Sequence, residues 1–217
     1  MLVSKDRTRK VLIPIFFGLF LVLALIVRLG SHMMLLLDDL SGVVTQEYTP
    51  RILMFFSTIG GLLAHYPVVI IVTLLVASFL YLVRFQVAAM WFLLMQGLLL
   101  PIVMLLTVII NVHWDNGLQI GDTIPNLLVT WWFEIFSVFF TLIFPKMVRS
   151  QSAQYIVMGV MFLIWIGILL AQLQRGIALS TLVGAMLFGY FWWQLSQQLY
   201  LKLAKKGQII FSLGGRL

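Results

Sequence analysis

The sequence predicts an all-α integral membrane protein: a bundle of six transmembrane helices, with short interfacial helices after the first. Three observations carry this. The 217 residues are 62% hydrophobic and only 10% charged, where a soluble domain carries about 25% charged residues. The apolar residues come in runs close to the roughly 20 residues needed to cross a bilayer. The basic residues gather at alternate ends of those runs, as the positive-inside rule requires.

The elements follow in order. Lys5, Arg7, Arg9 and Lys10 precede an apolar run over 11–27. A basic start before an apolar core has the look of a signal peptide. The run is long enough to span, however, and no Ala-x-Ala-like site follows it, so it reads as a retained first span. Residues 33–59 include Asp38, Asp39, Glu47, Pro50 and Arg51 and are too polar to span. They offer interfacial helices over 39–44 and 52–56, with Gly60-Gly61 as a break. Span two covers 66–83, with Pro67 in its first turn and Arg84 closing it. Span three covers 87–112 and contains Gln96, Gly97 and Pro101; the proline predicts a kink. Span four covers 127–144 and stops at Pro145-Lys146. Span five covers 155–171, residues 172–176 make a tight turn, and span six covers 177–200 before a basic tail.

Six spans place both termini on one side. Of the 14 basic residues, only Arg28, Arg51 and Arg175 then fall on the other side, together with Asp38, Asp39, Glu47, Asp115 and Asp122 of the 7 acids. This predicts a multi-pass protein of the cell membrane with both termini cytoplasmic. Trp131 and Trp132 fall near the outer end of span four; Trp91, Trp192, Trp193 and Tyr200 fall near inner ends. Both are depths where aromatic rings anchor in the interface. The net charge of +7 sits at the ends of apolar runs and not in a basic patch interleaved with aromatics, which argues against nucleic acid. With no cysteine, disulfides, thiolate metal sites and a Cys nucleophile are excluded.

Residues 111–126 form the longest polar interruption in the second half, and an active mouth would be expected there. The stretch holds His113, Asp115, Asn116, Asp122 and Asn126, but no Lys, Arg, Ser or Cys. His113 is a candidate ligand-binding residue, though a lone loop histidine is ordinarily solvated. Asp115 and Asp122 are two acids without a clear third ligand, so neither a metal nor a cofactor is expected. Glu134 is the single carboxylate inside an apolar span, seven residues past Leu127 and so about 10 Å along the helix. A charge at that depth is costly and should face the bundle interior, with Arg175 as one possible partner. Trp131 and Trp132 would then divide between lipid and the outer interface. The outer Arg28, Arg51 and Arg175 can snorkel to headgroups, pair with Asp38, Asp39 or Glu47, or bind lipid phosphates.

The layout from Leu29 to Tyr200 resembles the type 2 phosphatidic acid phosphatase family of lipid phosphatases. The segment Leu37-Asp-Asp-Leu-Ser, then Thr49-Pro-Arg-Ile-Leu and Phe56-Ser-Thr-Ile-Gly-Gly61, is similar to that family's approach to span two. Ile124-Pro-Asn-Leu-Leu128 falls where the family has Phe-Pro-Ser-Gly-His, and Ala171-Gln-Leu-Gln-Arg-Gly-Ile-Ala178 with Leu-Ser-Thr-Leu182 where it has Ser-Arg-x5-His-x3-Asp. Pro125, Gly176 and the spacing are retained. The resemblance implies a bundle of lipid phosphatase type with its site on the outer face. It also implies a nucleophilic histidine oriented by an aspartate, a second histidine as acid, and a cationic phosphate clamp. Here the nucleophile position is Ala178, its orienter Leu182, the acid position Leu128 and one arginine position Gln172; the first motif falls over 106–114, without a basic residue or a proline. No family catalytic residue remains.

The expected role is therefore non-catalytic: binding membrane lipids, a lipid phosphate among them, or a membrane protein partner. Arg175 is the foremost candidate, two residues from where the family's phosphate pocket would lie, with Glu134 and His113 beside it. The alternatives are a carrier or flippase for a lipid phosphate, supported if Arg175 and Glu134 face one cavity, and a hydrolase using residues foreign to the family.

Overall fold

The computed structural model describes residues 8–47, 50–110, 124–147 and 150–210, and among them every regular element is a helix. In order these are α1 (Arg9–Arg28), α2 (His32–Glu47), α3 (Arg51–Leu63), α4 (Tyr66–Leu82) and α5 (Gln86–Ile110). Then come α6 (Leu127–Val138), which continues as a π-helical segment (Phe139–Ile143), α7 (Phe144–Met147), α8 (Gln151–Gln174) and α9 (Leu179–Ile210). An all-helical answer is what apolar sequence demands, because a helix satisfies its own backbone groups where water cannot. Among the described residues, α1, α5 and α8 are long and apolar enough to cross a membrane; α3 and α4, inclined at 82°, make a fourth crossing if taken as one broken span. The apolar stretch Leu127–Ile143 is shorter.

Each expected span coincides with a helix. The segment after the first span differs: it forms two helices of 16 and 13 residues, in place of shorter pieces over 39–44 and 52–56. Gly60-Gly61 was expected to break the chain, but both lie inside α3. The reason is packing. A Cβ on Gly60 would strike the backbone of Gly167, and one on Gly167 would strike the Phe56 carbonyl. These glycines let α3 and α8 cross backbone to backbone, the use small residues have in membrane helix pairs. Helix α5 runs as one helix through Pro101.

Three helices end alike, with a residue at positive φ: Gly30 (63°), Arg84 (66°) and Gly176 (84°). After α8, the Ile177 N–H donates to Gln172 O and the Gly176 N–H to Leu173 O, the paired bonds of a Schellman cap. Helix α6 begins on Asn126, whose side chain accepts from the Val129 N–H at 2.9 Å, an ordinary N-cap.

Ring contacts fix how helices run. Phe16 meets Tyr190 and Phe20 meets Phe188, with centroids 4.2 and 5.2 Å apart, while Leu23 lies against Gly184. Helices α1 and α9 are therefore antiparallel. Ile124 lies against Gly184 and Phe133 against Gly189, so α6 runs parallel to α9. One end of the bundle, the A end, gathers the start of α6 and α9, the end of α3 and the end of α8. The other, the B end, gathers the start of α1, the α4–α5 connection and the later part of α9.

Candidate functional site

At the A end several polar residues bond to the termini of other helices, while the buried Thr181 hydroxyl has no partner among the described residues. The Arg175 guanidinium donates to Ala64 O at 3.0 Å and Gly61 O at 2.9 Å, closing the end of α3. Arg28 donates to Ile109 O at the end of α5. A cation over unsatisfied C-terminal carbonyls is favoured by hydrogen bonding and by the helix dipole. Asp38, buried, performs the converse task for α9, accepting from the Ser180 N–H at 2.8 Å and the Ser180 hydroxyl at 2.7 Å. Burial pushes the Asp38 carboxyl up from the ordinary carboxylate range, against those hydrogen bonds, which pull it down. Ser57 donates to the Gln174 side chain at 2.6 Å. Arg28, Arg175 and Asp38 thus bond to helix ends across the bundle.

The tryptophans expected at interface depths are packed inside. Trp131 and Trp132 are both buried; Trp131 Nε1 donates to Thr73 Oγ1 at 3.0 Å and Trp132 Nε1 to Leu63 O at 3.1 Å. Trp192, Trp193 and Tyr200 are buried as well. These rings are enclosed between helices, and two of the indoles also find an acceptor. Their spacing in the sequence does not distinguish the two environments.

Glu134 faces the bundle interior as expected, but not Arg175. It lines a cavity of about 40 Å³ between α4, α5, α6 and α9, towards the B end. Gln96, Ser196, Gln197 and Tyr200 line it too, with Trp91, Phe92 and Trp193 among the apolar walls. Glu134 and Gln96 are 3% exposed and Tyr200 2%. Glu134 Oε1, both polar atoms of the Gln96 amide and the Tyr200 hydroxyl have no hydrogen-bond partner among the described residues. Trp91 Nε1 bonds to the Ser196 backbone and hydroxyl oxygens, at 3.2 and 3.3 Å. Of the lining residues, only Trp91 and Leu142 are half-buried rather than buried. Leu142 belongs to the π-helical segment, and such segments recur at functional sites. Groups of this kind left without partners cost about 1–3 kcal/mol each, so several around one cavity mark a place where a guest can repay that cost.

The four positions carried over from the phosphatase resemblance, Leu128, Gln172, Ala178 and Leu182, are all buried, and none lines this cavity. Ala178 and Leu182 are one turn apart at the start of α9, where the Leu182 N–H donates to Ala178 O. Gly176 and Pro125, the retained signs, have local explanations in the cap of α8 and the approach to the Asn126 N-cap. His113 and the rest of 111–123 lie outside the described residues. Among those residues no group of three or more His, Cys, Asp or Glu could hold a metal.

Helical throughout its described residues and rich in apolar helices of spanning length, the chain is of the membrane-associated class. No protein-family model, curated protein or solved structure matches it.

Proposed function

We propose that this chain is a six-span membrane protein with both termini cytoplasmic, and that its work is to bind a lipid or a membrane partner without hydrolysing it. The observation that carries the reading is the set of buried polar groups without partners, Glu134, Gln96 and Tyr200, around one cavity. A structural polar cluster would satisfy itself, as Asp38 and Ser180 do; a binding cluster keeps its hydrogen-bonding capacity for the guest. The alternating directions of α1, α4, α5, α6, α8 and α9 support six crossings, and basic residues Arg9, Lys10, Arg84, Lys202 and Lys206 near the B end support its assignment to the cytoplasm. The lipid phosphatase resemblance enters only as a scaffold without its chemistry: Ala178 cannot attack phosphorus and Leu128 cannot donate a proton. A phosphate-carrying role finds less support, since Arg175 is spent on helix α3 rather than turned towards Glu134.

The test is native mass spectrometry of the protein in mild detergent, wild type against Ala88→Phe, which fills the cavity. Retained lipid on the wild type and its loss from the variant is expected. Equal retention would overturn the cavity as the binding place. Phosphate release from phosphatidic acid, phosphatidylglycerol phosphate or polyprenyl pyrophosphate, clearly above an empty-vector preparation, would overturn the non-catalytic role. Single cysteines, clean because the chain has none, should label at position 116 only from outside.

A further inference from the structure

Resting on that reading, we infer that the cavity at the B end recognises an ammonium group, with Glu134 as its counter-ion, and not a phosphate. Lys, Arg and His are absent from its lining residues, and Glu134 is its one carboxyl group. A phosphate there would face that carboxyl with no cation to offset it, a cost no hydrogen bond from Gln96 or Tyr200 would recover. A buried carboxylate beside amide and hydroxyl oxygens is instead complete once a cation sits against it.

The walls decide which cation. Trp91, Phe92, Trp193 and Tyr200 line the same space, and the Trp91 and Tyr200 rings stand edge to face with centroids 6.1 Å apart. Aromatic faces attract ammonium groups, most strongly where water is excluded. A bare hard ion would need six or more oxygen ligands, which one carboxyl, one hydroxyl pair and two amides do not supply. The size agrees: a water needs roughly 10–15 Å³ of such space, so about 40 Å³ takes an ammonium with its nearest carbons, not a whole headgroup. Arg84 and Lys202, both exposed, stand four residues before Ala88 and two after Tyr200. A lipid with its ammonium in the cavity would therefore carry its phosphate towards these cations.

The source of the ammonium is either an aminolipid headgroup or a free amine, and one experiment separates them. The full chain, in phosphatidylglycerol nanodiscs, is titrated with phosphatidylethanolamine, with ethanolamine and with sodium ion, following tryptophan fluorescence. Selective binding of phosphatidylethanolamine over added phosphatidylglycerol is expected, weakened at least about tenfold in Glu134→Gln, as losing a hydrogen bond to a charged group implies. A response to ethanolamine as well makes the ammonium alone sufficient; a response to the lipid only makes the lipid the ligand. The comparison of the two lipids on the wild type needs no variant, so a Glu134→Gln chain that fails to fold leaves the test intact. Equal binding of the two lipids, an equal response to sodium, or Glu134→Gln binding like the wild type would overturn the inference. If lipid is still lost from Ala88→Phe under that result, the cavity remains a binding place and only its ammonium selectivity falls.

Discussion

The two ends of this bundle treat polar groups in opposite ways. At the A end Asp38, Arg175, Arg28, Asn126 and Ser57 all have partners, and the partners are mostly helix termini. At the B end Glu134, Gln96 and Tyr200 are buried as Asp38, Asn126 and Ser57 are, whereas Arg28 and Arg175 are exposed; the three have no partner among the described residues. Among the buried groups, Asp38, Asn126 and Ser57 against Glu134, Gln96 and Tyr200, the difference lies in what repays the burial. At the A end Asp38, Asn126 and Ser57 are repaid internally, though the Thr181 hydroxyl is not. The B end stores an unmet demand, as binding sites do at the expense of stability.

The comparison can be broken at several points. The largest effect is expected at the α3–α8 crossing of the A end. Gly167→Leu would drive a side chain into the Phe56 carbonyl, at a cost of about 3 kcal/mol or more, and should abolish the monodisperse peak in size-exclusion chromatography. Next come the partnered charges. Asp38→Leu leaves the Ser180 N–H and hydroxyl without their acceptor, and Arg175→Met uncovers two carbonyls; each should lose about 1–3 kcal/mol, read as a lower melting temperature in detergent. Asp38 also gives a pH signature. Its folded-state pKa is raised, so protonation favours the folded chain. Stability relative to Asp38→Asn should be greatest below the ordinary carboxylate value and decline as pH rises through the raised one; melting curves across that range check the sign. The smallest effect is expected at Arg84, whose positive φ suits glycine. Arg84→Gly should gain about 1 kcal/mol, read as a rise in the melting temperature of the ligand-free chain.

The helices were legible because hydropathy and charge placement dominate this sequence: each expected span lies on a helix, and Glu134 stood out as the lone carboxylate within an apolar run. The site was not legible. The polar stretch 111–126 stands out instead, since polarity in a loop is visible along the chain. The cavity joins Gln96, Glu134 and Tyr200 from three separate helices, and their convergence is a matter of helix packing that no local spacing records. A signal did exist, in Gln96, Ser196 and Gln197, polar residues inside otherwise apolar helices that line the cavity. Gly60-Gly61 misled for a related reason. A glycine pair reads as a break when the chain is considered alone, and becomes a contact surface once Gly167 arrives from 107 residues away.

The most direct test of the central claim is the melting temperature of Glu134→Leu in detergent, measured beside Asp38→Leu. If the Glu134 carboxyl is an unmet polar group kept for a ligand, removing it should stabilise the ligand-free chain by about 1–3 kcal/mol. By the scaling known for chains of this length that is a rise on the order of 2–4 °C per kcal/mol, accompanied by loss of bound lipid, while Asp38→Leu falls. A fall in Glu134→Leu comparable to that of Asp38→Leu would mean that Glu134 holds the bundle together, and the contrast between the two ends would be wrong.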